Sequence, residues 1–238
     1  MAGDIRFISA GPLPVLAIFL LIGLVLLLIP LLFLGIIGAV FTRLGLSWIT
    51  ALALVLLMLS GSFVNIPLYR IRRDVVRAVP MDSFGTGPAS RCAVYPVWDT
   101  TISVNLGGGI IPVCIAAYMI YQGVAIATTA LFLPVAFCAA LVTVLSFVFT
   151  REMAGIGIRV PLLIPALAAL LAGLLLSGGT GLAAAVTALA GGVAGTLTGG
   201  NIIRLLRIRD LEVADVSIGG NGTFGAVFLC CILPALIA

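Results

Sequence analysis

Uncharged apolar runs recur from one end of this chain to the other, and several are long enough to cross a lipid bilayer. A helix that crosses the hydrocarbon core needs about 20 apolar residues in succession. Only 8% of the 238 residues are charged, whereas a typical soluble domain has about 25%. The sequence therefore predicts an all-α integral membrane protein, with one transmembrane domain over residues 1–238 and almost no soluble part.

The apolar runs divide into seven predicted transmembrane helices. Their bounds are Leu13–Phe41, Leu46–Leu68, Thr101–Tyr121, Val124–Phe149, Val160–Leu176, Leu182–Ile203 and a last helix within Asp215–Ala238. This division places all of the 12 basic residues except Arg43 on the side of the N-terminus. Positively charged loops stay in the cytoplasm. We therefore expect a multi-pass protein of the inner (plasma) membrane, with its N-terminus in the cytoplasm and its C-terminus outside.

Two residue types are missing from the sequence, because it has no histidine and all 12 basic residues are arginine. The absence of histidine excludes Ser-His or Cys-His catalytic centres and His-ligated zinc sites. The absence of lysine excludes a retinal Schiff base, which forms on a lysine side chain. The five cysteines show no Cys-x-x-Cys spacing. We expect no metal, no cofactor and no nucleic-acid partner.

Glycine, asparagine and proline interrupt two of the predicted helices, at Thr101–Pro112 and in the first half of Asp215–Ala238. Glycine costs about 1 kcal/mol relative to alanine inside a helix. Such segments occur in membranes only where they pack on protein or line a polar cavity. The two stretches also resemble each other, which suggests an internal repeat, although their glycines align only with a gap. The predicted helix breaks are Pro67, Gly107, Gly108, Gly109, Pro112, Gly219, Gly220, Gly222 and Gly225.

Polar side chains lie within or beside these breaks. In transporters, broken helices whose ends face one another build solute sites near the middle of the membrane. The alternative is that the same side chains only hold neighbouring helices together, by hydrogen bonds of about 1 kcal/mol each. The sequence leaves both interpretations open. The predicted cavity residues are Asn65, Asn105, Asn201, Asn221, Ser103, Ser217 and Thr223.

Two aspartates, Asp99 and Asp215, each precede a glycine-broken helix. They are predicted to lie at the cytoplasmic mouth of the cavity. There they would form a cation or proton site, or they would cap the N-termini of the two helices.

The loop of residues 70–98 is predicted to lie at the cytoplasmic interface. In its first part, RIRRDVVRAV, apolar residues recur every four positions, which is typical of a short helix lying on anionic lipid headgroups. The alternative is an arginine cluster that only fixes the topology. The predicted headgroup-binding residues are Arg70, Arg72, Arg73 and Arg77.

The sixth predicted helix carries Gly191, Gly195 and Gly199 at four-residue spacing. Small residues at this spacing form a face on which a second helix can pack closely. We therefore expect this helix to have a close neighbour.

Four segments together resemble a known family. They are NIPL (Asn65–Leu68), VNLGGGIIPV (Val104–Val113), GIGIRVPLLIPALAALLAGLL (Gly155–Leu175) and SIGGNGTFGAVFL (Ser217–Leu229). In this order they resemble the prokaryotic membrane family known as domain of unknown function 1614, over nearly the whole chain. The resemblance implies a membrane protein of a family without an established activity.

The family resemblance also implies aspartates at two positions where this chain has other residues, Asn201 and Gly225. Two membrane-embedded aspartates resemble the layout of intramembrane aspartyl proteases, where paired carboxylates share a proton and activate water. The segment Leu233–Leu236 resembles the Pro-Ala-Leu element of that class. Neither asparagine nor glycine can act as a general base, so this chain would be inactive or altered as a protease.

Three hypotheses of function follow, and the sequence favours the first, with the other two as alternatives. The first is a non-enzymatic, transporter-like protein, assisted by homo-oligomerisation, with Asn65, Asn105 and Asn221 in one water-accessible cavity for a small solute, ion or lipid. The second is a protease-like protein without its aspartates, with Asn201 and Gly225 facing each other. The third is a structural or lipid-organising protein whose asparagines are paired within packed interfaces. Membrane lipids are expected partners in each case.

Overall fold

The computed structural model describes residues 12–73, 98–127, 129–153, 157–205 and 215–238, which are mostly helical. One-turn π-helical segments precede α3 (Leu106–Ile110) and follow α6 (Thr198–Ile202), and 3₁₀ turns cover Thr129–Leu131 and Leu233–Ile237. The helices are α1 (Pro12–Thr42), α2 (Trp48–Gly61), α3 (Ile111–Ala127), α4 (Phe132–Phe149), α5 (Ile164–Leu176), α6 (Leu182–Leu197), α7 (Ile203–Leu205) and α8 (Phe224–Ile232).

Five strands form two sheets, so the described part of the chain is mostly helical, as predicted, but not all-α. Strand β1 (Asn65–Arg73) pairs antiparallel with β2 (Trp98–Asn105), and β2 pairs parallel with β5 (Asp215–Ile218). Strands β3 (Arg151–Met153) and β4 (Gly157–Arg159) form a separate antiparallel pair. The larger sheet has the order β1-β2-β5, which leaves β1 and β5 as edge strands.

The three-stranded sheet replaces the ends of three predicted helices. The second helix ends at Gly61 instead of Leu68, and the residues from Thr101 to Asn105 are extended. These segments are rich in threonine, isoleucine and valine, whose branched side chains fit a pleated strand. The strands supply each other with backbone partners, as a non-helical segment in a membrane protein requires. Pro67, which cannot donate a hydrogen bond, lies on an edge strand.

The predicted interfacial helix at residues 70–79 is wrong where the structure describes it. Arg70, Arg72 and Arg73 lie in β1, which is extended up to Arg73. Arg77 lies outside the described residues. The binding of lipid headgroups by these four arginines stays a prediction.

Helix α6 lies at the centre of the bundle and packs against α3, α4, α5 and α8. A methyl group built on Gly191 would come within 2.6 Å of the Cβ atom of Cys138, and one built on Gly195 within 2.6 Å of the Cβ atom of Val142. Both partners lie on α4. The prediction that the glycine face of this helix permits close packing is therefore confirmed.

The outer surface of the bundle is apolar. On α1, every described side chain from Ile18 to Leu32 is exposed, whereas Phe41 near the end of α1 is buried. Three helical segments, Leu106–Ala125, Phe132–Phe149 and Leu182–Leu205, are long and apolar enough to cross a membrane. Apolar helices of this kind indicate a membrane protein.

Candidate functional site

Asn105 is the most extensively hydrogen-bonded of the predicted cavity residues. It ends β2, and its side chain is only 1% exposed. Its Nδ2 atom donates to the carbonyl oxygen of Ser62 at 2.7 Å and to Oδ1 of Asn65 at 2.9 Å. Its Oδ1 atom accepts from the backbone N–H of Gly108 at 2.8 Å. One amide therefore joins the end of α2, the start of β1 and the π-helical turn that leads into α3.

Strand β5 is joined to the same group through Ser217. The Ser217 hydroxyl donates at 2.7 Å to Oδ1 of Asn65, the oxygen that also accepts from Asn105. Asn65 is exposed, whereas the neighbouring Ser103 on β2 is buried. Asn65, Asn105 and Ser217, termed the Asn105 cluster, thus connect all three strands of the larger sheet.

Glycines allow close approach of the backbones around the Asn105 cluster. A Cβ atom on Gly107 would overlap the carbonyl oxygen of Met58 in α2. A Cβ atom on Gly108 would overlap the carbonyl oxygen of Gly219 in the turn after β5. Gly219 also has a φ of 73°, which side chains disfavour. At these predicted breaks, two backbone segments therefore lie in direct contact. Each break follows a strand instead of interrupting a helix.

The other predicted breaks lie close to the same elements. Pro112 is the second residue of α3 and directly follows the π-helical turn. Gly220 and Gly222 belong to the turn between β5 and α8. Gly225 is the second residue of α8, where a Cβ atom would come within 2.6 Å of the Leu162 side chain.

Asn201 and Thr223 form a second polar contact. Both are 1% exposed, and the Thr223 hydroxyl donates to Oδ1 of Asn201 at 3.0 Å. Asn201 belongs to the π-helical segment after α6, and Thr223 occupies the N-cap position of α8. The Nδ2 atom of Asn201 has no hydrogen-bond partner among the described residues. The contact places Asn201 beside the first turn of α8, which contains Gly225.

The predicted cavity residues therefore fall into separate groups. Asn105 is enclosed by its protein partners, Asn201 contacts the start of α8, and Asn221 is exposed in the turn before α8. One water-accessible cavity that contains Asn65, Asn105 and Asn221 stays a prediction.

The two aspartates predicted at the cavity mouth lie in strands. Asp99 stands opposite Arg72 in the β1–β2 register, and Asp215 is the exposed first residue of β5. The N-cap interpretation is wrong for both, because Asn105 caps the turn before α3 and Thr223 precedes α8. A cation or proton site at these aspartates stays a prediction.

The ion pair between Arg204 and Glu152 was not predicted from the sequence. The Nη1 atom of Arg204 lies 2.8 Å from Oε1 of Glu152. Its Nη2 atom donates to the carbonyl oxygens of Phe147 at 2.6 Å and Thr150 at 2.9 Å. Arg204 thus satisfies carbonyls at the C-terminal end of α4, which have no partners within their own helix. The only sequence signals are an arginine beyond α6 and a glutamate beyond α4, and neither specifies the pairing.

Two surface grooves are formed by described residues. The first, of about 470 Å³, lies between α2 and α3, and its lining is almost wholly apolar. The second, of about 360 Å³, lies between the end of α4 and the start of α5 and includes Arg151 and Arg159. Neither contains a predicted cavity residue. In the described parts of the chain, no three His, Cys, Asp or Glu side chains are grouped so that they could hold a metal ion.

Comparison with known proteins identifies a family without an assigned activity. No curated protein and no solved structure matches the chain. The sequence profile of the family described as "Protein of unknown function (DUF1614)" matches residues 59–237, which include all five strands and both polar contacts. The family resemblance noted in the sequence is confirmed, and the chain belongs to the DUF1614 family.

Proposed function

We propose that the chain crosses the inner membrane seven times, through α1 to α6 and α8, with its N-terminus in the cytoplasm. Helix α2 has 14 residues, or about 21 Å, so the first residues of β1 would complete its passage across a core of about 30 Å. Arg70, Arg151, Arg159 and Arg204 fall on one side of this arrangement and Arg43 on the other, which supports the orientation by the positive-inside rule.

We infer that the protein acts without catalysis, as a packed membrane scaffold that organises the lipids around it. The observation that carries this inference is the Asn105 amide. It is 1% exposed and bonds to the protein through both its oxygen and its nitrogen. A residue that coordinates a solute needs polar atoms directed into a cavity, whereas Asn105 uses its polar atoms to join α2, β1 and the turn before α3.

The external surface supports a role in contact with lipid. The groove between α2 and α3 is lined by Leu54, Leu57, Ile111 and Ile115 among others, and the exposed half of α1 is apolar on all sides. Surfaces of this composition match acyl chains and not aqueous solutes.

A flux experiment tests the proposal. The purified full chain is reconstituted into liposomes that contain a self-quenching fluorophore, and leakage and osmotic swelling are measured with sugars, amino acids and monovalent ions. We expect rates equal to those of protein-free liposomes. Saturable flux that is lost in Asn65→Ala and retained in the matched exposed variant Thr180→Ala would refute the scaffold and support the transporter-like cavity.

A second function is favoured by the contact between Asn201 and Thr223, at 3.0 Å. By this contact Asn201, one of the two positions at which the family resemblance implies aspartate, lies beside the helical turn that contains the other, Gly225. We propose as the alternative that the chain descends from an aspartyl protease and retains its geometry without its carboxylates. The Leu233–Leu236 segment adds no support, because Ile237 accepts a hydrogen bond from Gly181 at the opposite end of α6 from Asn201.

The double variant Asn201→Asp/Gly225→Asp tests the alternative. Reconstituted with a fluorogenic transmembrane peptide, it is expected to cleave the peptide if the two positions can share a proton, while Asn201→Asp alone stays inactive because one carboxylate cannot serve as both acid and base. A folded double variant without cleavage would count against the protease ancestry.

A further inference from the structure

The β3–β4 hairpin separates its charged side chains onto two faces. In the antiparallel register, Arg151 lies directly opposite Arg159, and Glu152 lies directly opposite Ile158. Because directly opposed residues of an antiparallel pair project to the same face, the two arginines share one face. Ile158, 4% exposed, and Glu152 share the other.

The single acidic residue of this hairpin is already engaged. Glu152 pairs with Arg204 at 2.8 Å, and Arg204 is fixed by two carbonyls of α4. Arg151 and Arg159 are both exposed, and neither has an ion-pair partner within the described residues. Side chains at such positions have Cβ atoms about 5 Å apart, and like charges placed there repel each other. An anion held between the two guanidinium groups would remove this repulsion.

The arginine pair forms part of the lining of an amphipathic groove. The groove of about 360 Å³ is lined by Arg151 and Arg159 and by the apolar side chains of Val148, Phe149, Pro161 and Ile164. Val148 and Phe149 are exposed although both are large and apolar. An occupant of complementary chemistry has a phosphate at one end and a hydrocarbon chain at the other.

We propose that this groove binds an anionic phospholipid, with its phosphate between Arg151 and Arg159 and an acyl chain along the apolar wall. The assignment to the cytoplasmic leaflet rests on the membrane orientation proposed above. A zwitterionic headgroup fits less well, because its ammonium group would meet two arginines, and Glu152, the carboxylate of this hairpin, is already paired with Arg204. The site is distinct from Arg70, Arg72, Arg73 and Arg77, which belong to β1 or lie outside the described residues.

Native mass spectrometry of the full chain in detergent tests the proposal. The protein is titrated with phosphatidylglycerol or phosphatidylcholine that carry identical acyl chains. Wild type is expected to prefer phosphatidylglycerol. The variants Arg151→Gln and Arg159→Gln should each weaken phosphatidylglycerol binding about fivefold, because a basic residue near a headgroup contributes on this scale. The matched control Arg43→Gln removes the same charge at the opposite end of the bundle and should change the affinity by less than twofold.

Further arms identify the ligand and exclude misfolding. A short-chain soluble phosphatidylglycerol or inorganic phosphate in large excess should not displace the long-chain lipid, because neither covers the apolar wall of the groove. Displacement by inorganic phosphate would overturn the lipid assignment.

The double variant Arg151→Lys/Arg159→Lys keeps both charges and should retain the preference for phosphatidylglycerol. If both glutamine variants melt like wild type and bind phosphatidylglycerol like Arg43→Gln, the proposal is refuted. Labelling of a cysteine introduced at Met153 from outside intact cells would refute the orientation alone and leave the site itself to be judged by the titration.

Discussion

The replacement Asn105→Ala provides the sharpest test of the role assigned to the Asn105 cluster. It removes two donated hydrogen bonds and one accepted bond, and it leaves the buried N–H of Gly108 without a partner. Each bond contributes about 1 kcal/mol in soluble proteins and about 0.6 kcal/mol in a membrane bundle. With the unpaired amide included, the expected loss is about 2–4 kcal/mol.

The measurement is reversible unfolding in mixed micelles with increasing dodecyl sulfate, followed by circular dichroism. Asn221→Ala is the matched control, because the same amide is removed from an exposed turn, and it should change the free energy of unfolding by less than about 0.5 kcal/mol. Asn105→Asp keeps the acceptor for Gly108 but sets a carboxylate against the oxygens of Ser62 and Asn65, so it should destabilise at least as much as alanine. Equal stabilities of Asn105→Ala and Asn221→Ala would refute the reasoning.

Two further predictions concern packing and charge. Gly108→Ala should prevent formation of the native fold or lower its melting temperature strongly, because its methyl group would overlap the backbone of Gly219. The control Gly23→Ala on exposed α1 meets no atom within 4 Å and should stabilise the fold by up to about 1 kcal/mol. Similar melting temperatures of the two variants would contradict this prediction. Arg204→Gln should cost more than Glu152→Gln in the same unfolding assay, because the arginine also bonds two carbonyls of α4; equal losses would show that the ion pair alone matters.

Patterns that are local in sequence predicted their structural counterparts correctly. The glycine spacing of α6 predicted close packing, which is observed against Cys138 and Val142, because a four-residue repeat places small residues on one helix face. The uniformly apolar Phe132–Phe149 is helical within its predicted span. The glycines at Gly107–Gly109 and Gly219–Gly222 were predicted to interrupt helices, but they lie between a strand and the helix that follows it.

The strands could not be predicted in the same way. Hydropathy does not distinguish an apolar strand of β-branched residues from a membrane helix. Ile102 and Val104 of β2 are as apolar as the residues of a membrane helix, so their hydropathy does not identify a strand. What makes them extended is a partner distant in sequence, β1 on one side and β5 on the other. The Asn105 cluster depends on the same pairing, so no spacing along the chain could show that Asn65 meets Ser217.

The parallel pairing of β2 with β5 has a consequence for the order of assembly during synthesis. The bond between Asn65 and Ser217 joins residues 152 positions apart, so the β1–β2 hairpin leaves the ribosome long before its third strand exists. Until then, the edge of β2 that later pairs with β5 has unpaired backbone amides and carbonyls, and such groups are costly where water is excluded. Non-local pairing of this kind is slow and prone to misassembly. Completion of the sheet is thus a late step of folding, since β2 has hydrogen-bonded partners on both sides only once β5 has been synthesised.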